Sequence, residues 1–327
     1  MEAVAPMHIP NVGRLRPVDA YRDLRAIADL IELCFSATMD ADGREYLRQM
    51  RRAAQEADVL RLTPHPPEPA ISGYVWEHHG KIIGNLSLIG MVRQSVRVYL
   101  IANVAVHPDY RRMGIARTLT NQAVDYVLHE KNTAAWLQVR EDNPAALNLY
   151  SSLGFQERSR RSTWLFDPNT ISLPARAARG MEVTPRYDPD WIYEKTWLEN
   201  AYSAEVNWAL SLRIEGVRPG LWQSILRWLN GKPQQHWAAR RNGQLYGLLT
   251  WEPSSMATDN LWLAAPRETE LAAIPHLLNR AASSLPRRRT ASLNYPAGRG
   301  EEAFFDCGGR LQQTLIWMEK RPAFHLV

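Results

Sequence analysis

Residues 106–116 read VHPDYRRMGIA. Upstream, YLIANVAV (residues 99–106) is an apolar run with the composition of a buried strand. Downstream, IARTLTNQAVDYVLHEKN (residues 115–132) carries Ile115, Leu119, Ala123, Val127 and Leu128 along one helical face. A strand therefore passes into a helix through two arginines and a glycine. The passage reads either as a plain turn with solvated charges or as a cradle for a phosphate. A helix N-terminus leaves backbone N–H groups unpaired and carries partial positive charge, so it holds an anion without side chains. Gly114 lets the backbone come close to such an anion, Ala116 keeps the next turn thin, and Arg111 or Arg112 adds charge.

Outward from this turn the chain alternates strands and helices. RLRPVDAYRDLRAIADLIELCF is a short strand ending at Pro17, then a helix with Leu24, Ile27, Leu30, Ile31 and Cys34 at helical spacing. GREYLRQMRRAAQEA is a second helix, and TPHPPEPA (residues 63–70) is a loop, because prolines remove donors and fix the backbone. ISGYVWEHH and KIIGNLSLIG form a hairpin about Gly80, and VRVYLIANVAV is a third long strand. AAWLQVR reads as a strand, NPAALNLYSSLG as a short helix and FQERSRRSTWLF as a closing strand. DPNTISLPARAARG, with two prolines and no periodic face, places a linker at residues 168–180 between domains 1–167 and 181–327. The second half repeats the first in element order. WAARRNGQLYGLLTW parallels VWEHHGKIIGNLSLI, with Gly243 and Gly247 spaced like Gly80 and Gly84. The expected architecture is α/β: two tandem domains, each a central mixed sheet flanked by helices.

At 327 residues the chain is long enough for two cores, and its 45% hydrophobic and 22% charged content is that of a globular protein. The N-terminus lacks the continuous apolar core of a signal peptide, and no run approaches the ~18 apolar residues of a membrane span. Cys34 and Cys307 read as buried thiols rather than a disulfide or metal site, so a reducing cytoplasm is expected. The formal charge is +5, but the basic residues are scattered, which argues against nucleic acid.

The stretch from Asn103 to Phe155 resembles the GNAT superfamily of acyl-CoA-dependent N-acyltransferases, whose Arg/Gln-x-x-Gly-x-Gly/Ala motif stands here as Arg111, Gly114 and Ala116. Asn143, Tyr150 and the LGF of residues 153–155 follow at the family's distance. The resemblance implies that Arg111, Arg112, Met113, Gly114, Ile115 and Ala116 cradle the pyrophosphate of acetyl-CoA. It also implies that main-chain groups of Val104, Ala105 and Val106 pair with the pantetheine arm, and that Asn143 contributes to the cofactor site. Tyr150 would lie near the sulfur and assist its departure as a general acid. Read without the family, Tyr150 is a core aromatic and Asn143 a helix N-cap, and the N-cap reading is compatible with the family role.

No general base is named. Leu100, Ile101 and Ala102 lack a proton acceptor, Glu77, His78 and His79 sit in what reads as an exposed turn, and His107 reads as structural. In the second half RETE replaces the cradle motif, and Phe304 falls where Tyr150 stands, so that domain reads as degenerate and unable to bind CoA. Its Trp222 and Trp228 read as core residues. The implied reaction is acetyl transfer from acetyl-CoA to a primary amine by direct attack in a ternary complex, without a metal. The alternative is a non-catalytic CoA-binding or scaffold protein. Partners are then acetyl-CoA and an amine, with no nucleic acid and no membrane; the resemblance also admits a homodimer.

Overall fold

The computed structural model describes residues 12–60, 72–93, 95–131, 133–210, 212–219 and 234–322. The loop expected at residues 63–70, and Trp222 and Trp228, lie outside the described residues. One compact unit comprises the described residues up to Val139, with 143–157 and those from Met318 on; the other comprises 140–142 and 158–317.

The first unit opens with β1 (Arg14–Pro17), α1 (Ala20–Phe35) and α2 (Ala41–Leu60). The strands β2 (Ser72–His78), β3 (Lys81–Arg93) and β4 (Val96–Val106) follow, then α3 (Ile115–Asp125), β5 (Ala135–Arg140) and α4 (Pro144–Ser152). The sheet order is β1-β2-β3-β4-β5. Its first three pairings are antiparallel, as hairpins allow, and β4 and β5 are parallel because α3 carries the chain across between them. Asp19 starts α1 by accepting from the N–H of Tyr21 (3.1 Å). The inner face of α1, with Leu24, Ile27 and Ile31, buries with Leu47 and Met50 of α2 against Val75 of β2. The expected apolar face is buried, Ile115, Leu119 and Ala123 of α3 and Val127 in the π-helical turn Tyr126–Glu130 that follows it each being at most 1% exposed.

Gly84 explains how closely α3 lies on the sheet. A Cβ there would meet Ile115 Cγ2 at 2.9 Å, Trp76 Cβ at 3.0 Å and Leu119 Cδ1 at 3.2 Å. Gly84→Ala is expected to cost about 1–3 kcal/mol through overpacking, read as a lower urea midpoint with an unchanged slope. A midpoint equal to the parent's would refute the close packing.

The second unit holds β6 (Gln156–Phe166, whose first two residues count with the first unit), β7 (Met181–Pro185), α5 (Trp191–Ala201), β8 (Gln235–Arg241) and β9 (Gln244–Glu252). It continues with β10 (Asp259–Ala264), α6 (Arg267–Ala282), β11 (Ala291–Pro296), α7 (Glu301–Asp306) and β12 (Arg310–Lys320), whose last residues count with the first unit. Its sheet runs β7-β8-β9-β10-β11-β6-β12. Thus β6, which follows α4 in sequence, pairs antiparallel with β11, Phe166 opposite Ala291 and Arg161 opposite Pro296. The parallel pair β10–β11 matches β4–β5, and Gly247 matches Gly84: a Cβ there would stand 3.1 Å from both Ala265 Cβ and Ala273 Cβ. Trp164, Trp237 and Trp262 join Phe304 and Tyr295 in the core. Cys307 is buried, and desolvation pushes its thiol up to about 12. Cys34 corrects the expectation for both cysteines, being only half-buried, with its thiol donating to the carbonyl of Val106 at 3.3 Å.

Candidate functional site

The turn between β4 and α3 is built from its backbone. Pro108–Tyr110 form one 3₁₀ turn, and His107 Nδ1 accepts from the N–H of Asp109 at 3.3 Å, which gives His107 its structural role. Arg111 Nε donates to the carbonyl of Val106 at 3.2 Å. Arg112 and Gly114 are both left-handed, at φ +66° and +84°, and Gly114 is the N-cap of α3 without a side-chain hydrogen bond. The first α-helical bond runs from Thr118 N–H to Gly114 O (3.0 Å), so the N–H groups of Ile115, Ala116 and Arg117 have no acceptor within the helix. Among the described residues the Arg112 side chain has no partner, and Met113 is exposed. Unpaired main-chain donors, a positive helix end and a free guanidinium are the donor set that a pyrophosphate needs.

Beside this turn β4 leaves its neighbour. The β4–β5 ladder spans Tyr99–Ile101 opposite Ala135–Leu137, and residues 102–106 run on beyond it. Opposite β3, Asn85 faces Ala105 while Ser87 faces Ala102, so two residues of β4, Asn103 and Val104, stand against one of β3. Asn103 takes the left-handed conformation there, at φ +52°. The Val106 carbonyl already accepts from Cys34 and Arg111, so within Val104–Val106 the free main-chain groups are fewer than the sequence suggests.

Helix α4 carries the remaining expected residues. Asn143 Oδ1 accepts from the N–H of Ala146 at 3.1 Å, the N-cap role. Tyr150 is buried, edge-on to Phe155 with ring centres 6.0 Å apart, and among the described residues its hydroxyl has no hydrogen-bond partner. Desolvation alone pushes its phenol up to about 12. Arg117 of α3 ties α4 in place by donating to Ser152 Oγ at 2.9 Å.

The candidate bases fare unequally. Glu77 is held by Arg16 (2.7 Å), Arg14 (3.1 Å) and Arg22 (3.1 Å), and the hydrogen bond from Arg16 leads in lowering its carboxyl below the usual range. A carboxylate so engaged is a poor proton acceptor. His78 and His79 stand tilted against each other, with ring centres 4.0 Å apart, where β2 turns into β3. The polar residues that sequence reasoning missed lie at the β4 bulge: Asn85 and Ser87 on β3, Asn103 on β4 and Tyr46 on α2. The only sequence signal for them is the polarity of Asn85, Ser87 and Asn103 within otherwise apolar strands.

The corresponding junction in the second unit is closed by its own side chains. The Tyr202 hydroxyl accepts from Leu263 N–H at 3.2 Å, and Arg299 Nη2 donates to Ala265 O at 3.1 Å. Glu270, in the first turn of α6, is buried and accepts from Arg299 (2.5 Å) and from the Tyr295 hydroxyl (3.0 Å). The charge of Glu270 is therefore compensated by Arg299. Helix α6 starts at Pro266, without a left-handed glycine. Phe304 is a core residue, with ring centres 5.2 Å from Trp164 and 5.8 Å from Tyr295. Among the described residues no three His, Cys, Asp or Glu gather as a metal site, and no helix is long and apolar enough to cross a membrane.

Comparison with known proteins agrees with this geometry. Residues 26–155 match the acetyltransferase (GNAT) family. A ribosomal protein bS18-alanine N-acetyltransferase of Escherichia coli is 42% identical over 62 residues, 19% of this chain and 42% of that protein. The N-alpha-acetyltransferase RimI of Mycobacterium tuberculosis is 34% identical over 77 residues, 24% of this chain and 47% of that one. The chain thus spans less than half the length of these curated relatives. Among solved structures, a GCN5-related N-acetyltransferase from Sphaerobacter thermophilus superposes with a TM-score of 0.60 at 15% identity, covering 97% of this chain and 99% of that one. A tandem GNAT protein from the clavulanic acid biosynthesis pathway superposes with a TM-score of 0.52 at 16% identity, covering 94% and 98%. The chain has the GNAT acetyltransferase fold, and the likeness to the second of these extends to a tandem arrangement.

Proposed function

We propose that the chain is an acetyl-CoA-dependent N-acetyltransferase whose first domain (residues 1–167) is active and whose second (residues 181–327, after the linker 168–180) is degenerate. The observation that carries this reading is the uncapped start of α3 behind the left-handed Arg112 and Gly114, set beside the part of β4 that continues past β5. Backbone N–H groups of Ile115 and Ala116, with Arg112, would hold the pyrophosphate, and main chain along Val104–Val106 would pair with the pantetheine arm. Asn143 would serve by holding the start of α4 and with it Tyr150. The acceptor is a primary amine, as the names of the curated relatives suggest.

The amine nitrogen attacks the thioester carbon, its new C–N bond replaces C–S, and the proton lost from nitrogen ends on sulfur. Backbone N–H groups offset the charge that develops on oxygen. Tyr150, with its phenol held at about 12 against about 8.5 for a cysteine-like thiol, acts as a hydrogen-bond donor to the departing sulfur. Any proton it gives up is recovered from the amine. No metal takes part, and neither nucleic acid nor membrane is a partner. Two free thiols, Cys34 and Cys307, suit a reducing cytoplasm.

The test is binding stoichiometry together with CoA release in the presence of a panel of primary amines. One acetyl-CoA per chain is expected, because Tyr202 and Arg299 occupy the main chain of the second junction. A stoichiometry of two would refute the degenerate second domain. Binding without CoA release to any amine would favour the non-catalytic reading, for which the engagement of Glu77 by three arginines speaks.

A further inference from the structure

A pair of side chains distinguishes the end of α4 from its counterpart in the second unit. Phe304 of α7 falls where Tyr150 stands, and the same spacing sets Gly308 against Gly154. It also sets Phe166, at the end of β6, against Lys320, at the end of β12. Both helices close in the same way. The N–H of Phe155 donates to Tyr150 O (3.1 Å) and that of Gly309 to Phe304 O (2.8 Å), past glycines at φ +83° and +85°. Each helix end meets the strand end of the other repeat. Phe166 counts with the second unit and is fully buried, its ring centre 6.0 Å from that of Phe304. Lys320 counts with the first, and its Nζ donates to the carbonyl of Leu153, the C-cap of α4, at 2.7 Å.

Packing does not explain lysine in place of phenylalanine. Phe166 completes an apolar core with Phe304, whereas Lys320, partly buried, takes its ammonium part-way out of water. Burial lowers its pKa from the ordinary lysine value, and Asp125 of α3 opposes the fall in part. What the ammonium gains is the end of α4. The last carbonyls of a helix have no partner within it and carry partial negative charge, so a cation is favoured there. A Cβ at Gly154 would meet Lys320 Cε and Nζ, both at 3.7 Å. At Gly308 the nearest atom is the Thr170 carbonyl oxygen at 2.9 Å, an acceptor that brings no donor to that helix end. A cation thus closes the helix that carries the buried tyrosine, and an apolar ring backs the helix that carries phenylalanine.

We propose that Lys320 is a positioning residue for Tyr150: by capping α4 it fixes the last turn of that helix and with it the place of the phenol. Tyr150 lies in that turn, and α4 ends at Ser152. Among the described residues nothing holds its hydroxyl, so the ring is placed by its packing on Phe155 and by the backbone of a helix end, which frays unless it is tied. Nζ touches no reacting atom and moves no proton; it acts through the helix. The second half of the chain, which has no cradle of its own, thereby contributes a residue to the working of the first. The inference rests on the transferase reading and on the part Tyr150 takes in it, and it consumes no further reactant.

The full chain is assayed for CoA release with two acceptors, a short peptide with a free N-terminal alanine and n-propylamine. The proteins are the parent, Lys320→Met, Lys320→Arg, Tyr150→Phe and the double variant Tyr150→Phe/Lys320→Met. Methionine keeps a long flexible stem and removes the donor, and arginine keeps a cation with donors. Lys320→Met is expected to lower kcat about tenfold, since a misplacement of ~1 Å costs about 10²-fold. Calorimetric acetyl-CoA affinity should stay within about twofold, and Lys320→Arg should restore kcat to within about threefold of the parent. In the Tyr150→Phe background no hydroxyl is left to place, so Lys320→Met should change kcat by less than about twofold. A merely structural role would lower kcat equally in both backgrounds. That result, or Lys320→Met at parental kcat while Tyr150→Phe is impaired, overturns the positioning role and leaves the other readings standing. Tyr150→Phe at parental kcat removes the role of Tyr150 and this inference with it. A parent that binds acetyl-CoA but acetylates neither probe counts against the transferase reading as well.

Discussion

Gly114→Glu is expected to abolish acetyl-CoA binding, an affinity loss of at least about 100-fold, in a protein that still folds. Two effects act at one atom position. A residue with a Cβ at φ +84° pays about 1–2 kcal/mol for the left-handed conformation. The new carboxylate also stands at the helix end whose free N–H groups would meet the pyrophosphate. At a few ångströms two like charges repel by about 4 kcal/mol even with an effective dielectric near 20, and each 1.4 kcal/mol is a factor of ten in affinity. Gly114→Asn separates the two effects, because asparagine tolerates this conformation and brings no charge; binding within about tenfold of the parent is expected for it. Calorimetry with acetyl-CoA reads the affinity, and thermal unfolding shows that the fold survives. Unchanged affinity in folded Gly114→Glu would remove the cradle from the assignment.

The legible part of this fold is the part written in periodicity. The apolar face from Ile115 to Leu128, along α3 and the π-helical turn after it, the hairpin about Gly80 and the repeated glycines at 84 and 247 each impose a constraint on neighbouring residues, and each stands where the spacing puts it. Pairing across long separations is not written that way. Nothing local in FQERSRRSTWLF says that it lies beside β11, because any edge with the right alternation could receive it. The bulge at Asn103 is equally silent, since a two-against-one mismatch is a property of two strands and a reading of β4 alone has no register. Tyr46 meets Asn103, 57 residues away in sequence, through the tertiary placement of α2, which packs on α1. The EHHG segment misleads for a related reason. Glu77 looks like a solvated turn residue until Arg14, Arg16 and Arg22, all distant in sequence, converge on its carboxylate. The turn into α3 is legible because all its parts lie within a few residues of one another; the polar cluster at the β4 bulge is not, because it is assembled from three elements.

Tyr150→Phe is expected to lower turnover by about 100-fold, the lower end of the 10²–10⁴ that a positioned proton donor supplies, with little change in acetyl-CoA affinity. The affinity is spared because the ring still packs edge-on to Phe155. The lower end applies because a thiolate is already a fair leaving group, and because a phenol at about 12 donates a hydrogen bond more readily than a proton. Its pH dependence follows from the direction of the shift. Burial raises the folded pKa above the unfolded value near 10, so the neutral phenol is the form the fold favours. Its contribution to stability is complete below pH ~10 and is lost as pH rises through about 12. Across an assay range of pH 6–10, roughly the span below the unfolded tyrosine value, Tyr150 stays protonated, and turnover of the parent should rise as the amine loses its proton without a falling limb. The variant should show the same profile displaced downward, since the titrating group is the amine in both. A falling limb in the parent that vanishes in Tyr150→Phe would mean that the phenol ionises within this range and that its surroundings are wetter than the buried ring of α4 indicates. Turnover of the variant within about twofold of the parent at every pH would make Tyr150 a packing residue, as Phe304 is in the second unit. Departure of the sulfur would then need another donor, and the partnerless hydroxyl would have no part in the reaction.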